Sequence, residues 1–313
     1  MHSETASGER LAFGAPHLPP DRLILGDNLA VMRSLPDGSV DLIYVDPPFF
    51  TGRDHRLANG DPAFADGWSG GLDEYLAWLR ERFVEMRRLL RPAGVLVVHC
   101  DWHAGHYIKV ELDRVLGMER FRNEVIWHYG LGGASAQRHV LRKHDTLFVY
   151  AMSEASTFNR LRGDVTAAML AKYCHEDERG RYMMSRGRRY YLRGGKPLDS
   201  VWNIPAIAAT STERVGWPAQ KPLALLERVV RVWSHPGHIV ADFFAGSGTT
   251  AVAAQRLGRS FIACDDAPAA IELARSRLEA SGRSLTNAGQ AVADVELSTI
   301  GQGCLDRDVM PPP

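Results

Sequence analysis

The sequence predicts an α/β fold built on a doubly wound, mostly parallel sheet. Strand-like and helix-like segments alternate on both sides of an irregular middle, the pattern of strands joined by crossover helices. The strand-like segments are continuous apolar runs, such as "VDLIYV" at 40–45 and "GVLVVHC" at 94–100, as expected of strands covered on both faces. With 313 residues, 45% of them hydrophobic, the chain can bury one large or two modest cores.

The elements follow in order. Residues 1–21 are polar and contain prolines, which predicts a flexible N-terminal tail. "RLILG" (22–26) is a strand, and "DNLAVMRSLP" is a short helix closed at Pro36, since proline cannot continue one. After "VDLIYV", residues 53–71 are rich in Gly, Asp and Asn and predict a long loop of the kind that forms lids over sites. "LDEYLAWLRERFVEMRRLLRP" (72–92) carries apolar residues at helical spacing and stops at a proline. "GVLVVHC" is the next strand, "AGHYIKVELDRVLG" a helix ending in Gly117, and "NEVIWHY" and "DTLFVYA" two more strands. From 130 to 215 periodicity weakens. It then returns as helix "PLALLERVVRVW", strand "HIVADFF", helix "GTTAVAAQRLG", strand "SFIACD" and helix "APAAIELARSRLEAS". The pattern is lost again over 282–313, a second expected flexible tail. The regular parts, 22–129 and 216–281, thus flank an insert at 130–215.

Composition narrows the function classes. No run of about 18 apolar residues predicts a membrane span, and "MHSETASGER" lacks the apolar core of a signal peptide. Cys100, Cys174, Cys264 and Cys304 show no paired spacing, which predicts reduced thiols and a cytoplasmic location. Cys100, His103 and His106 have metal-like spacing, but they straddle a strand end and a helix start without a fourth ligand, so no metal is expected. The zero net charge hides an asymmetry: residues 128–215 hold 14 Lys and Arg against 8 Asp and Glu, and the remainder 23 against 29. A basic segment in a neutral chain suits a polyanionic partner or a solvated face.

Two constellations carry the chemistry. In "VDPPFFTG" (45–52) a buried strand runs into an acid, two prolines and two aromatics. Rigid backbone beside flat rings suits a flat, polar-edged ligand. In "DFFAGSGTT" (242–250) a strand opens a helix through Gly246 and Gly248. Backbone N–H groups can approach a ligand there, and the helix N-terminus favours an anionic group. Asp265 ends the next strand, where a carboxylate can accept from two ribose hydroxyls. "GSGTTA" also satisfies the dinucleotide pattern, so an NAD-dependent oxidoreductase competes. Both corners belong at carboxyl ends of parallel strands, which predicts one shared crevice. An acid–proline–proline–aromatic clamp serves methyl transfer to an aromatic amine better than hydride transfer. Asp101 and His103, also at a strand's carboxyl end, are expected to border that crevice.

With these residues in hand, the chain resembles the DNA amino-methyltransferases that modify adenine N6 or cytosine N4. Their D-P-P-[YF] tetrad stands as Asp46, Pro47, Pro48 and Phe49, and their F-x-G-x-G loop as Phe244, Gly246 and Gly248. The order (tetrad, basic insert, "QKP" at 220–222, glycine loop) is that of the β-class enzymes of restriction–modification systems and their orphan relatives. The resemblance spans about 22–281. It implies a circularly permuted, seven-stranded Rossmann-like sheet, S-adenosylmethionine as cofactor and double-stranded DNA as partner. Asp46 implies adenine, with cytosine N4 as the alternative. The resemblance further implies that Asp27, Asp242, Phe244, Ala245, Gly246, Ser247, Gly248, Thr249 and Asp265 hold the cofactor, with Lys221 on its carboxylate. Arg138, Arg142 and Lys143, and Arg186, Arg188 and Arg189 in "RGRRYYLRGG", are the expected DNA contacts. The short insert favours a homodimer, and a cognate restriction endonuclease is a possible companion. A catalytically dead DNA-binding protein is a further alternative, disfavoured by two intact motifs.

Overall fold

The computed structural model describes residues 21–281, apart from 58, 131–137 and 139. The two expected tails lie outside the described residues, as does most of "GLGGASAQRH". Thirteen strands follow in chain order: β1 (Arg22–Leu25), β2 (Val40–Val45), β3 (His55–Arg56), β4 (Pro62–Phe64), β5 (Leu90–Cys100), β6 (Phe121–His128), β7 (His144–Ala151), β8 (His175–Asp177), β9 (Gly180–Ser185), β10 (Arg188–Tyr191), β11 (Val201–Asn203), β12 (Ile239–Asp242) and β13 (Ser260–Asp265). The α-helices are α1 (Asn28–Ser34), α2 (Gly71–Leu89), α3 (Gly105–Leu116), α4 (Ala167–Lys172), α5 (Leu223–Trp233), α6 (Thr249–Arg256) and α7 (Pro268–Ala280).

Eight strands form the central sheet in the order β1-β13-β12-β2-β5-β7-β6-β11. Only β7 runs antiparallel to its neighbours. The sheet is the expected doubly wound one with one strand more than the seven of the resemblance. The extra member, β11, is a three-residue edge strand parallel to β6, too short to stand out in the sequence. Because β7 and β11 both fall between 130 and 215, the segment set apart from the sheet is the shorter stretch between them. There β8, β9 and β10 make a small antiparallel sheet. Arg186 (φ 48°) and Gly187 (φ 73°) turn β9 into β10, the paired left-handed residues of a tight hairpin.

Alternation along the strands builds two cores. Leu42 and Tyr44 of β2 face α5, α6 and α7, while Ile43 and Val45 face α1, α2 and α3; successive side chains must leave opposite faces. Each fully buried aliphatic side chain contributes roughly 1.5–3 kcal/mol. Tyr75, Leu79, Phe83 and Met86 of α2 are all buried, one stripe at helical spacing.

The expected loop 53–71 is not structureless. It contains the hairpin of β3 and β4, with His55 stacked on Phe64 at 4.4 Å between ring centroids. A register shift and strands of two and three residues leave too little alternation to detect. No described helix is long and apolar enough to cross a membrane.

Candidate active site

Strands β12 and β2 are neighbours, with Val240 beside Leu42 and Ala241 beside Ile43. The chain leaves β12 through α6 toward β13 and leaves β2 through α2 toward β5, so the sheet order reverses between them. Such a switch point opens a crevice at the carboxyl ends of the strands. Extending the register puts Phe244 level with Asp46. Both corners line a single cavity of about 600 Å³, together with Asp27, Phe49, Lys221, Gly246 and Asp265.

The acid corner is held from several sides. Tyr75 Oη donates to the Pro48 carbonyl at 2.6 Å. Phe50 adopts a left-handed backbone (φ 63°), costly for an aromatic residue. Asp66 holds that turn: its buried carboxylate accepts from Phe50 N (2.9 Å), Thr51 N (2.7 Å) and Thr51 Oγ1 (2.6 Å). At the corner itself, Lys221 Nζ donates to Asp46 Oδ2 in a close ion pair, and to the Ala219 carbonyl at 3.2 Å. Its ammonium lies 5.0 Å from the Phe49 ring centre. Asp46 Oδ1 is buried without a hydrogen-bond partner among the described residues. Behind it, His99 Nδ1 lies 3.8 Å away, beyond hydrogen-bond reach, and the ring is fixed by Tyr44 Oη (2.7 Å) and Asp145 Oδ2 (3.2 Å).

The glycine corner is equally specific. Gly246 (φ 49°) and Gly248 (φ 74°) take left-handed conformations. A Cβ at Gly246 would come 2.8 Å from Trp217 Nε1, and one at Gly248 would come 2.5 Å from Ala274 Cβ. Gly246 therefore keeps the cavity open beneath Trp217. Gly248 is not among the cavity-lining residues; it lets α6 pack closely on α7. Asp265 accepts from Gly246 N (2.8 Å) and Ala267 N (3.0 Å), and burial raises its pKa to about 6. Asp242, with burial raising it to about 7, has both oxygens engaged, by Phe244 N (3.0 Å) and Thr250 Oγ1 (2.5 Å). It braces the turn from below. Ala245, Ser247 and Thr249 line the cavity. Arg277 of α7 donates to the Ser247 carbonyl (2.6 Å) and to Thr249 Oγ1 (2.9 Å).

Asp27 sits at the cavity rim. Its Oδ1 caps α1 at Ala30 N (2.8 Å), and Arg82 Nη2 lies 3.4 Å from Oδ2. The Arg82 guanidinium stacks 3.7 Å from the Trp78 ring centre, and its burial lowers its pKa to about 10. Sequence reasoning missed Asp66, Trp78, Arg82, Trp217 and Arg277. Asp66, Trp217 and Arg277 meet their partners at least 15 positions away. The Trp78–Arg82 pair, four apart on α2, is one of several such pairs on an amphipathic helix and does not stand out by spacing. Lys221 was expected on the cofactor; the geometry brings it to Asp46.

The basic candidates are spread out. Arg138 is exposed. Arg142 stacks on Trp102 with its guanidinium 3.5 Å from the ring centre, and Lys143 is half-buried beside it in sequence. Arg186 and Arg188 are exposed at the β9–β10 hairpin. Arg189 is engaged within its own sheet, 2.8 Å from Asp177 Oδ2. The metal-like trio is not assembled: Cys100 is buried with Sγ 3.6 Å from the Thr146 carbonyl, and His103 Nδ1 pairs with Asp101 at 2.6 Å.

A family model described as DNA methylase, of the N6/N4 type, matches residues 40–276. DNA adenine methyltransferase YhdJ of Escherichia coli K12 is 28% identical over 258 residues, 82% of each chain. Type II methyltransferase M.HpaI of Haemophilus parainfluenzae is 29% identical over 263 residues, covering 82% of this chain and 74% of that one. Among solved structures, the cytosine-N4-specific PvuII DNA methyltransferase superposes with a TM-score of 0.58 at 18% identity, over 82% of this chain and 87% of that one. The Thermus thermophilus protein TTHA0409, a putative DNA modification methylase complexed with S-adenosyl-L-methionine, superposes with a TM-score of 0.54 at 23% identity, over 84% and 95%. At such identities the structures speak for the fold.

Proposed function

Because the chain belongs to the N6/N4 DNA methylase family, we propose that it transfers a methyl group from S-adenosylmethionine to the N6 amine of an adenine extruded from double-stranded DNA. The observation that carries the proposal is the shared cavity. It has the glycine corner on one side and, on the other, a buried Asp46 oxygen with no partner among the described residues. An unpaired buried carboxylate oxygen is costly, and an amine N–H supplies the donor it lacks.

The residues fit the cofactor. Asp265 is half-buried, lines the cavity and can accept ribose hydroxyls. Gly246 leaves space that a Cβ would fill under Trp217. Asp27, Trp78 and Arg82 at the rim suit the adenine end. When bound, the cofactor supplies an electrophilic methyl on a sulfonium.

The protein's part is placement and charge. An exocyclic amine is a weak nucleophile because its lone pair is delocalised into the ring. Asp46 Oδ1 accepts one amine N–H and stabilises the positive charge growing on nitrogen, a preorganised acceptor set where charge appears. Lys221 fixes Oδ2, so the carboxylate cannot swing away. We therefore assign Lys221 to the acid rather than to the cofactor carboxylate. Tyr75 holds the Pro48 carbonyl and Asp66 the backbone after it, so the corner is rigid before substrate arrives. Phe49 offers a stacking surface, and stacking of about 1–3 kcal/mol offsets part of the cost of extrusion. Placing amine and methyl in line then sets the rate.

Asp46 at the head of the tetrad favours adenine over cytosine. The type II name of M.HpaI supports a companion endonuclease, and the short insert supports a homodimer. The test is nucleoside analysis of DNA incubated with the protein and methyl-labelled cofactor. Label in N6-methyladenine is expected. Label confined to N4-methylcytosine overturns the base assignment, and absence of label in any base overturns the activity.

A further inference from the structure

We propose that Trp102 and Arg142 form a stacking platform for a base of the DNA left unstacked when the target leaves the duplex. This rests on the function proposed above and adds a contact outside the cavity.

Trp102 leaves its indole 47% exposed, so a large flat ring is accessible to a partner. Its position is set by the sheet. Val98 of β5 lies beside Val45 of β2, so His99 is level with Asp46, and Trp102 is three residues further on. Three residues of chain span at most about 10 Å, which keeps the indole at the same end of the sheet as the acid corner. The turn that carries it is tied down. Asp101 Oδ1 accepts His103 N at 2.8 Å, and Asp101 Oδ2 meets His103 Nδ1 at 2.6 Å. The His103 ring lies 3.8 Å from the Trp102 ring, tilted by 31°.

On the other side of the sequence, β7 runs antiparallel to β5, with Thr146 beside Cys100. Residue 142, just before β7, is thereby delivered next to Trp102, and its guanidinium lies 3.5 Å from the ring centre. Among the described residues, Arg142 has no hydrogen-bond acceptor. A guanidinium lying on an indole keeps its N–H edge free for phosphate oxygens while the flat pair offers a π surface. A ring for a base and a cation for the backbone beside it is the chemistry of contact with an unpaired nucleotide. Extrusion of one base creates such nucleotides: its former partner and the two flanking bases.

The experiment uses the full chain and duplexes carrying the sequence context it methylates, with 2-aminopurine at the partner position or at either flank. With the wild type, fluorescence at one of the three positions is quenched on binding. Trp102→Ala abolishes that quenching and weakens binding about ten-fold, as loss of one stacked base does. Trp102→Phe restores both in part, because a ring remains. Trp102→Leu does not, which separates stacking from mere packing. Arg142→Gln weakens binding and lowers its salt dependence by about one phosphate contact. If Trp102→Ala or Trp102→Leu binds and quenches as the wild type does, the platform is refuted while the methyltransferase proposal stands. If the wild type neither binds nor methylates DNA, the underlying function fails instead.

Discussion

Replacing Lys221 by Met removes the ammonium that pairs with Asp46 while keeping a side chain of similar length. The Lys221 side chain is 9% exposed and that of Asp46 18%, so the pair is mostly withdrawn from water. At an effective dielectric of about 20, two charges about 4 Å apart interact by roughly 4 kcal/mol. Breaking a fully buried pair by deleting one partner costs about 3–5 kcal/mol. Allowing for partial exposure, a loss of about 2–4 kcal/mol is expected, a fall in Tm of roughly 3–6 °C for a chain this size. The catalytic effect follows from geometry. With Lys221 gone, Asp46 Oδ2 joins Oδ1 as a buried oxygen without a donor, and the carboxylate turns toward water and away from the amine. Removing a comparable preorganised group costs about 100-fold or more in kcat. The assay is single-turnover methyl transfer, with calorimetric cofactor binding and thermal unfolding on the same variant. Binding within about two-fold of the wild type, with transfer collapsed, is the expected outcome. A transfer rate within about three-fold of the wild type refutes the reasoning, and a loss confined to cofactor affinity returns Lys221 to the cofactor carboxylate.

Other outcomes follow from the glycine corner and its acids. Gly246→Ala puts a methyl 2.8 Å from Trp217 Nε1 in a left-handed backbone; cofactor affinity measured by calorimetry should fall at least ten-fold while the far-ultraviolet circular dichroism is unchanged. Burial raises the Asp265 pKa to about 6, and its ionised form accepts two ribose hydroxyls far more strongly than the neutral acid does. Cofactor affinity should therefore be flat above about pH 7 and fall about ten-fold per unit below pH 6, a slope that Asp265→Asn removes. Asp242 is raised by burial to about 7 from 3.8. A carboxylate raised in the folded state contributes stability below its unfolded pKa and loses it as pH rises through the folded one. Urea unfolding should give about 2 kcal/mol less stability from this group at pH 8.5 than at pH 5.5, and Asp242→Asn should shrink that difference.

Much of this was legible in the sequence because the physics is local. The runs "VDLIYV" and "GVLVVHC" declare strands covered on both faces. The glycines of "DFFAGSGTT" declare a turn that other residues cannot make. The meeting of the two corners followed from the rule that ligands sit at carboxyl ends of parallel strands, and β2 lying beside β12 satisfies it. What was not legible depends on partners distant in sequence. Lys221 finds Asp46 across 175 positions, and Arg277 reaches Ser247 across 30. Asp66 looked like one more polar loop residue, yet it fixes the backbone after the tetrad. In "RGRRYYLRGG" Arg189 is paired with Asp177 of its own small sheet, which the letters alone do not reveal. A run of charge does not say which members are already paired.

If Asp46 activates the target amine while the glycine corner holds the methyl donor in the same cavity, binding and transfer separate in an Asp46 variant. The most direct measurement pairs calorimetric binding of S-adenosylmethionine with single-turnover transfer of labelled methyl to DNA, for the wild type and for Asp46→Ala. Undiminished binding with transfer reduced below detection is the predicted result. An Asp46→Ala protein that methylates DNA at the wild-type rate contradicts it.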